Sequence, residues 1–100
     1  MSATVFLIPV NEMINFLTKD VKTALDNFAT SGRGYQDIFA VETELKGEKA
    51  AEDLFDLSNN PGRDAERAQR WGIRRSLSVG DVVHVDGDSW ICCSMGWAKI

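Results

Sequence analysis

Apolar residues recur along this chain with two different periods, and the switch between them marks its elements. Thr4 to Val10 is a short apolar run that reads as a strand, with Pro9 at its end because proline has no N–H to give a ladder. Ile14, Leu17, Val21, Leu25 and Phe28 then recur at helical spacing to about residue 29, with Met13, Phe16 and Ala24 beside them. Asn11 is placed to cap this helix and Glu12 to favour its first turn. Asp20 offers a second cap, which would break the helix near Thr18. Ser31-Gly32-Arg33-Gly34 ends the helical pattern in a loop.

The period changes to two at Tyr35 to Leu45, where Phe39, Val41 and Thr43 alternate with Ala40, Glu42 and Glu44. That is the pattern of a half-buried strand. Glu48 to Ser58 returns to helical spacing, with Ala51, Leu54, Phe55 and Ser58 along one side and Ala50 and Leu57 flanking. Asn60-Pro61 is a cap followed by a good first helical residue, so a further helix is expected to about Trp71, ended by Gly72. Val82, Val83 and Val85 are β-branched, Asp86-Gly87 is a two-residue turn signal, and Trp90 to Cys93 forms the returning strand. The expected fold is α+β. It has a small, mainly antiparallel sheet, a C-terminal β-hairpin and two to three helices packed on one face. A parallel pairing of the first two strands remains open, because the chain between them is long enough for a crossover.

The tail from Arg75 resembles a group of small bacteriophage and mobile-element proteins whose C-terminal hairpin reads R-S-x-S-V-G-D-V-V-x-V-D-G, followed by an aromatic, a Cys and a final G-W or G-F. Here those positions are Arg75, Ser76, Ser78, Val79, Gly80, Asp81, Val82, Val83, Val85, Asp86 and Gly87, then Trp90, Cys92, Gly96 and Trp97. The upstream run Asp53 to Pro61 is similar to the segment preceding the tail in that group. The members are mostly of unknown function, so the resemblance implies a phage setting and no defined activity. The expected role of Ser78 to Val82 is structural: Gly80-Asp81 turns the chain into the sheet, and Arg75 or Ser76 satisfies loop carbonyls or amides.

One hundred residues suit a single domain, 1–100, with one small core. No apolar run reaches bilayer length, and Val5 to Val10 lacks the flanks of a secretory signal. The expected location is the cytoplasm of an infected bacterium. Cys92 and Cys93 are adjacent, and strand neighbours point to opposite faces, so reduced thiols without a mutual disulfide are expected. With His84 alone for company they fall short of a closed zinc site, and no metal or cofactor is expected. His84 with either cysteine lacks the orienting group and electropositive cleft of a nucleophilic pair. No carboxylate pair sits in a catalytic motif, and no enzyme is expected.

Charge brings in the candidate surfaces. The net charge is −4, which disfavours general attraction to nucleic acid or anionic lipid. Residues 36–57 are acidic, with Asp37, Glu42, Glu44, Glu48, Glu52, Asp53 and Asp56 against Lys46 and Lys49. Residues 62–75 carry Arg63, Arg67, Arg70, Arg74 and Arg75 against Asp64 and Glu66. On a regular helix Arg63, Arg67, Arg70 and Arg74 fall within a wedge of about 60°, with Ala65, Ala68 and Gly72 opposite for packing on the sheet. This reads as an exposed guanidinium stripe with Trp71 beside it, suited to phosphates or an acidic protein surface. The alternative is internal pairing with the acidic helix at 48–58. Trp97 is the indole expected to be partly exposed, as an anchor for a partner. The expected function is that of a non-enzymatic phage accessory protein that binds and modulates a host protein, in host takeover or as an anti-defence inhibitor. A nucleic-acid-associated protein using the arginine stripe and an acidic DNA mimic are the alternatives.

Overall fold

The computed structural model describes residues 1–13, 16, 23, 25–26 and 34–100. Among them are five strands, β1 (Ser2–Leu7), β2 (Asp37–Glu42), β3 (Val82–Val85), β4 (Asp88–Cys93) and β5 (Gly96–Lys99), and two α-helices, α1 (Gly47–Asn59) and α2 (Asp64–Arg70). Short 3-10 turns at Val10–Glu12 and Pro61–Arg63 precede the first loop and α2. The helix expected over residues 12–29 lies mostly outside the described residues; Met13, Phe16, Thr23, Leu25 and Asp26 within it are helical. The Ser31 to Arg33 loop also lies outside them.

The strands form one sheet in the order β2-β1-β3-β4-β5, with every neighbour antiparallel. β1 pairs with β2 from Ser2↔Glu42 to Leu7↔Asp37, which settles the open question of a parallel crossover in favour of the antiparallel arrangement. The hairpin turns where expected. Asp86 and Gly87 hold φ of 51° and 83°, the two left-handed positions that match a tight turn to the twist of its strands. β5 was not anticipated. Ser94-Met95 makes a second tight turn, and Trp97 folds back opposite Cys92.

Alternation along the strands gives the sheet two unlike faces. Ala3, Val5, Leu7, Phe39, Val41, Val83 and Val85 face Ala50, Ala51, Leu54 and Leu57 of α1, with Trp71 and Leu77 completing this core. α1 and α2 lie on that side, whereas the helical residues Met13, Phe16 and Leu25 lie with the other face. On the opposite face Ile8, Phe16, Val82 and Ile91 form a second, smaller cluster, with Phe6, Met13, Leu25 and Tyr35 around it. α1 is amphipathic enough to be pinned by its apolar side alone. Its last turn is also tied to the tail. Ser58 Oγ accepts from the Leu77 N–H at 3.1 Å, and Asn59 Nδ2 donates to the Leu77 carbonyl at 3.1 Å.

The Ser78 to Val82 segment does the structural work expected of it, through a residue whose full role was not foreseen. Asp81 is fully buried. Its Oδ1 accepts from the Ile8 N–H at 2.9 Å and from Arg75 at 2.7 Å; its Oδ2 accepts from the Ser78 N–H at 2.8 Å and from Arg75 at 2.6 Å. Arg75 also donates to the carbonyls of Ile8 and Ser76. One carboxylate thereby joins the end of β1 to the loop before β3. Gly80 makes room for this junction. It holds a φ of 95°, and a Cβ there would come within 2.5 Å of Ile8 Cδ1 and 2.8 Å of the Phe16 ring. Only glycine meets both conditions.

Candidate functional site

α2 is only two turns long, and none of its residues is fully buried. Its orientation therefore depends on charge. The arginine side is not the fully exposed stripe that the spacing suggests; it is partly buried against α1 and the end of β2. Arg63 donates to Asp53 at 2.9 Å, to Asp56 at 3.0 Å and to Glu66 at 2.8 Å. Arg70 pairs with Glu66 and donates to the Glu42 carbonyl at 2.8 Å. Arg67 donates to the Arg74 carbonyl. Arg74 reaches Asp37 at 3.0 Å and lies 4.0 Å over the Phe39 ring. Ala65 and Ala68, expected against the sheet, are exposed. The stripe is thus a clamp rather than a free surface. Its carboxylate partners come from α1 (Asp53 and Asp56), from β2 (Asp37) and from α2 itself (Glu66), and these charge-assisted hydrogen bonds outweigh what two alanines gain by burial.

Trp71, expected beside an exposed stripe, is fully buried. Its ring meets Phe39 edge-on at 4.9 Å, and its Nε1 donates to the Arg75 carbonyl at 3.1 Å. Chain direction explains this. α2 ends at Trp71, and the turn at Gly72 drives the indole into the core at the point where the arginines reach outward to α1. Trp90 packs partly buried against the same core.

The clamp makes a prediction about acid. The guanidinium groups of Arg63 and Arg70 hold the Glu66 carboxyl down at about 2 from its ordinary 4.5. A carboxylate depressed in the folded state stabilises fully above its unfolded pKa, and that contribution fades as pH falls toward the folded value. The pairs of Glu66 with Arg63 and Arg70, which brace α2 and the turn before it, should therefore weaken as pH drops from 4.5 toward 2. Glu66 is solvent-accessible, so screening keeps the effect modest. Glu66→Gln should flatten the loss of melting temperature over that range; an unchanged acid profile would remove the clamp from the stability account.

His84 and the cysteines are not brought together. His84 pairs across the hairpin with Ser89, whose Oγ lies 2.8 Å from its Nδ1. Cys93 is four residues further along β4, about 13 Å at strand rise. Cys92 points to the helix side and Cys93 to the other, and both are free thiols. Burial pushes the Cys92 thiol up to about 12 and raises Cys93 as well. Both should stay protonated at neutral pH, so iodoacetamide at pH 8 should label the native protein far more slowly than the urea-unfolded chain. Rapid native labelling of Cys92 would contradict its burial. Among the described residues no group of three or more His, Cys, Asp or Glu is placed to hold a metal ion. No helix among them is long and apolar enough to cross a membrane.

The indole expected at the surface, Trp97, is partly exposed. The unexpected β5 places it across from α1, where its ring meets Phe55 edge-on with centroids 6.4 Å apart. Phe55 is 37% exposed and Met95 94%. Glu52, Phe55, Cys92, Ser94, Gly96 and Trp97 line a groove of about 320 Å³. That is at the small end of ligand-binding clefts, about 300–1,000 Å³. The helical pattern placed Phe55 on the apolar side of α1, but nothing in it paired Phe55 with Trp97. The turn signal Ser94-Met95-Gly96 was the available clue. Comparison with known protein families, with curated proteins and with solved structures finds no match to this chain.

Proposed function

We propose that the chain is a small non-enzymatic protein-binding module, a phage-type accessory protein that modulates a host protein. The observation that carries this reading is the exposed Phe55–Trp97 pair at a groove, since aromatic anchors in pockets dominate protein interfaces. The resemblance of the tail to small phage proteins supports the setting. The nucleic-acid alternative is less well supported, because Arg63, Arg70 and Arg74 already spend their guanidinium groups on carboxylates of the same chain. The DNA-mimic alternative loses Asp37, Asp53 and Asp56 to the same pairs.

The test is affinity capture of the tagged protein from nuclease-treated bacterial lysate, run beside Trp97→Ala. A stoichiometric protein band is expected with the wild type. Loss of a hot-spot indole costs about 2 kcal/mol or more, so the variant should lose nearly all of that band while keeping its fold. Recovery of nucleic acid alone without nuclease, or a band indifferent to Trp97→Ala, overturns the proposal.

A further inference from the structure

β5 is an edge strand, with β4 on one side and no strand on the other among the described residues. The Ile100 N–H donates to the Ser89 carbonyl at 2.9 Å. The alternation of an antiparallel ladder then turns the N–H and C=O groups of Trp97 and Lys99 outward, toward the open edge. Beside that edge lies the groove of Phe55 and Trp97. Glu52 lines it, and Glu48 stands one helical turn away; neither carboxylate forms an ion pair among the described residues. Lys99, the cation of this strand, is held by Asp88 at 3.4 Å. The open edge therefore combines unpaired backbone groups, two aromatic rings and uncompensated negative charge.

Resting on the protein-binding reading above, we infer that this edge takes an extended basic segment of the partner as an added strand. Main-chain bonds to Trp97 and Lys99 hold the segment, and one of its lysine or arginine side chains seats against Phe55, Trp97 and Glu52. A strand added to an edge gains affinity from its backbone and specificity from alternate side chains. Ring faces and a carboxylate favour a cation at the position facing α1. The opposite side of β5 presents Ala98 beside Ile91, so the alternate positions of the segment are apolar. An acidic segment or a phosphate backbone would meet repulsion from Glu52 and Glu48.

The test is an NMR titration of the full chain with a blocked pentapeptide of alternating lysine and valine, and with its glutamate-for-lysine counterpart. The lysine peptide should shift the amides of Trp97 to Lys99 and the Trp97 indole N–H, and bind at least tenfold more tightly than the glutamate peptide. Glu52→Gln should weaken the lysine peptide several-fold and leave the spectrum of the free protein otherwise unchanged. Unmoved β5 amides, or equal response to both peptides, overturns the inference. If the peptide is silent while Trp97→Ala still abolishes capture from lysate, the protein-binding reading stands and the strand-addition inference alone falls. If the peptide binds but capture is indifferent to Trp97→Ala, the protein-binding reading falls, and the assignment of a partner segment to this edge falls with it.

Discussion

Asp81→Ala is expected to destabilise the protein by about 3–5 kcal/mol, the usual cost of removing one partner of a buried ion pair. The size follows from what the carboxylate holds. Arg75 loses both of its carboxylate contacts, and the Ile8 and Ser78 amides lose their acceptor. Each buried amide left without a partner adds a desolvation penalty of about 1–3 kcal/mol, although relaxation and the partial exposure of Arg75 keep these from summing. Since small domains total about 5–15 kcal/mol, a large share of the stability is at stake. Urea unfolding followed by tryptophan fluorescence reads this directly, with an expected fall in midpoint of about 2 M for a slope near 2 kcal/mol/M. Asp81→Asn should recover little, because its NH2 group would face N–H donors where a carboxylate oxygen had accepted from them. A midpoint within error of wild type would falsify the account of the junction.

Trp71→Ala is expected to cost about 3–5 kcal/mol, as for other large aromatic residues removed from a core. The indole is fully enclosed, stacks edge-on against Phe39 and donates to the Arg75 carbonyl. Its loss would open a cavity between the sheet and α2 and also strand that carbonyl. The contrast with Trp97→Ala is the informative part. Trp97 is partly exposed at the edge of the sheet, so its truncation should leave the unfolding midpoint nearly in place while removing partner capture. If instead Trp71→Ala folds as stably as wild type, the packing of α2 described above is wrong.

The sequence shows most of the sheet and little of the surface, for a physical reason visible in particular residues. Phe39, Val41 and Thr43 reveal β2 because burial on one face imposes a period of two. Asp86-Gly87 reveals the hairpin because few residue pairs accept two left-handed φ values. The arginines are different. Their spacing places them on one side of α2 correctly, but a charged side is the same in sequence whether it meets water or carboxylates. Which it meets depends on how α2 is docked against Asp53 and Asp56. Trp71 suffers the same ambiguity, since its neighbours are charged and its burial comes from the turn that follows. The groove was less legible still. Phe55 and Trp97 are 42 residues apart in the chain, and the strand that carries Trp97 is four residues long and half exposed.

The interior position of β1 has a consequence for biosynthesis. Val5 is flanked in the sheet by Phe39 on one side and Val83 on the other. During synthesis β1 therefore waits for its second neighbour until residues 82–85 have been made. Such non-local pairing slows folding, because chain closure must precede the contacts that reward it. During that interval the Val5-Phe6-Leu7-Ile8 run is exposed on the nascent chain, an uncharged β-prone stretch of the kind that aggregates. Pro9 sits directly after it, and a proline beside such a stretch interrupts intermolecular ladders. The proline that leads from β1 into the 3-10 turn in the folded protein thus has a second use before the fold exists.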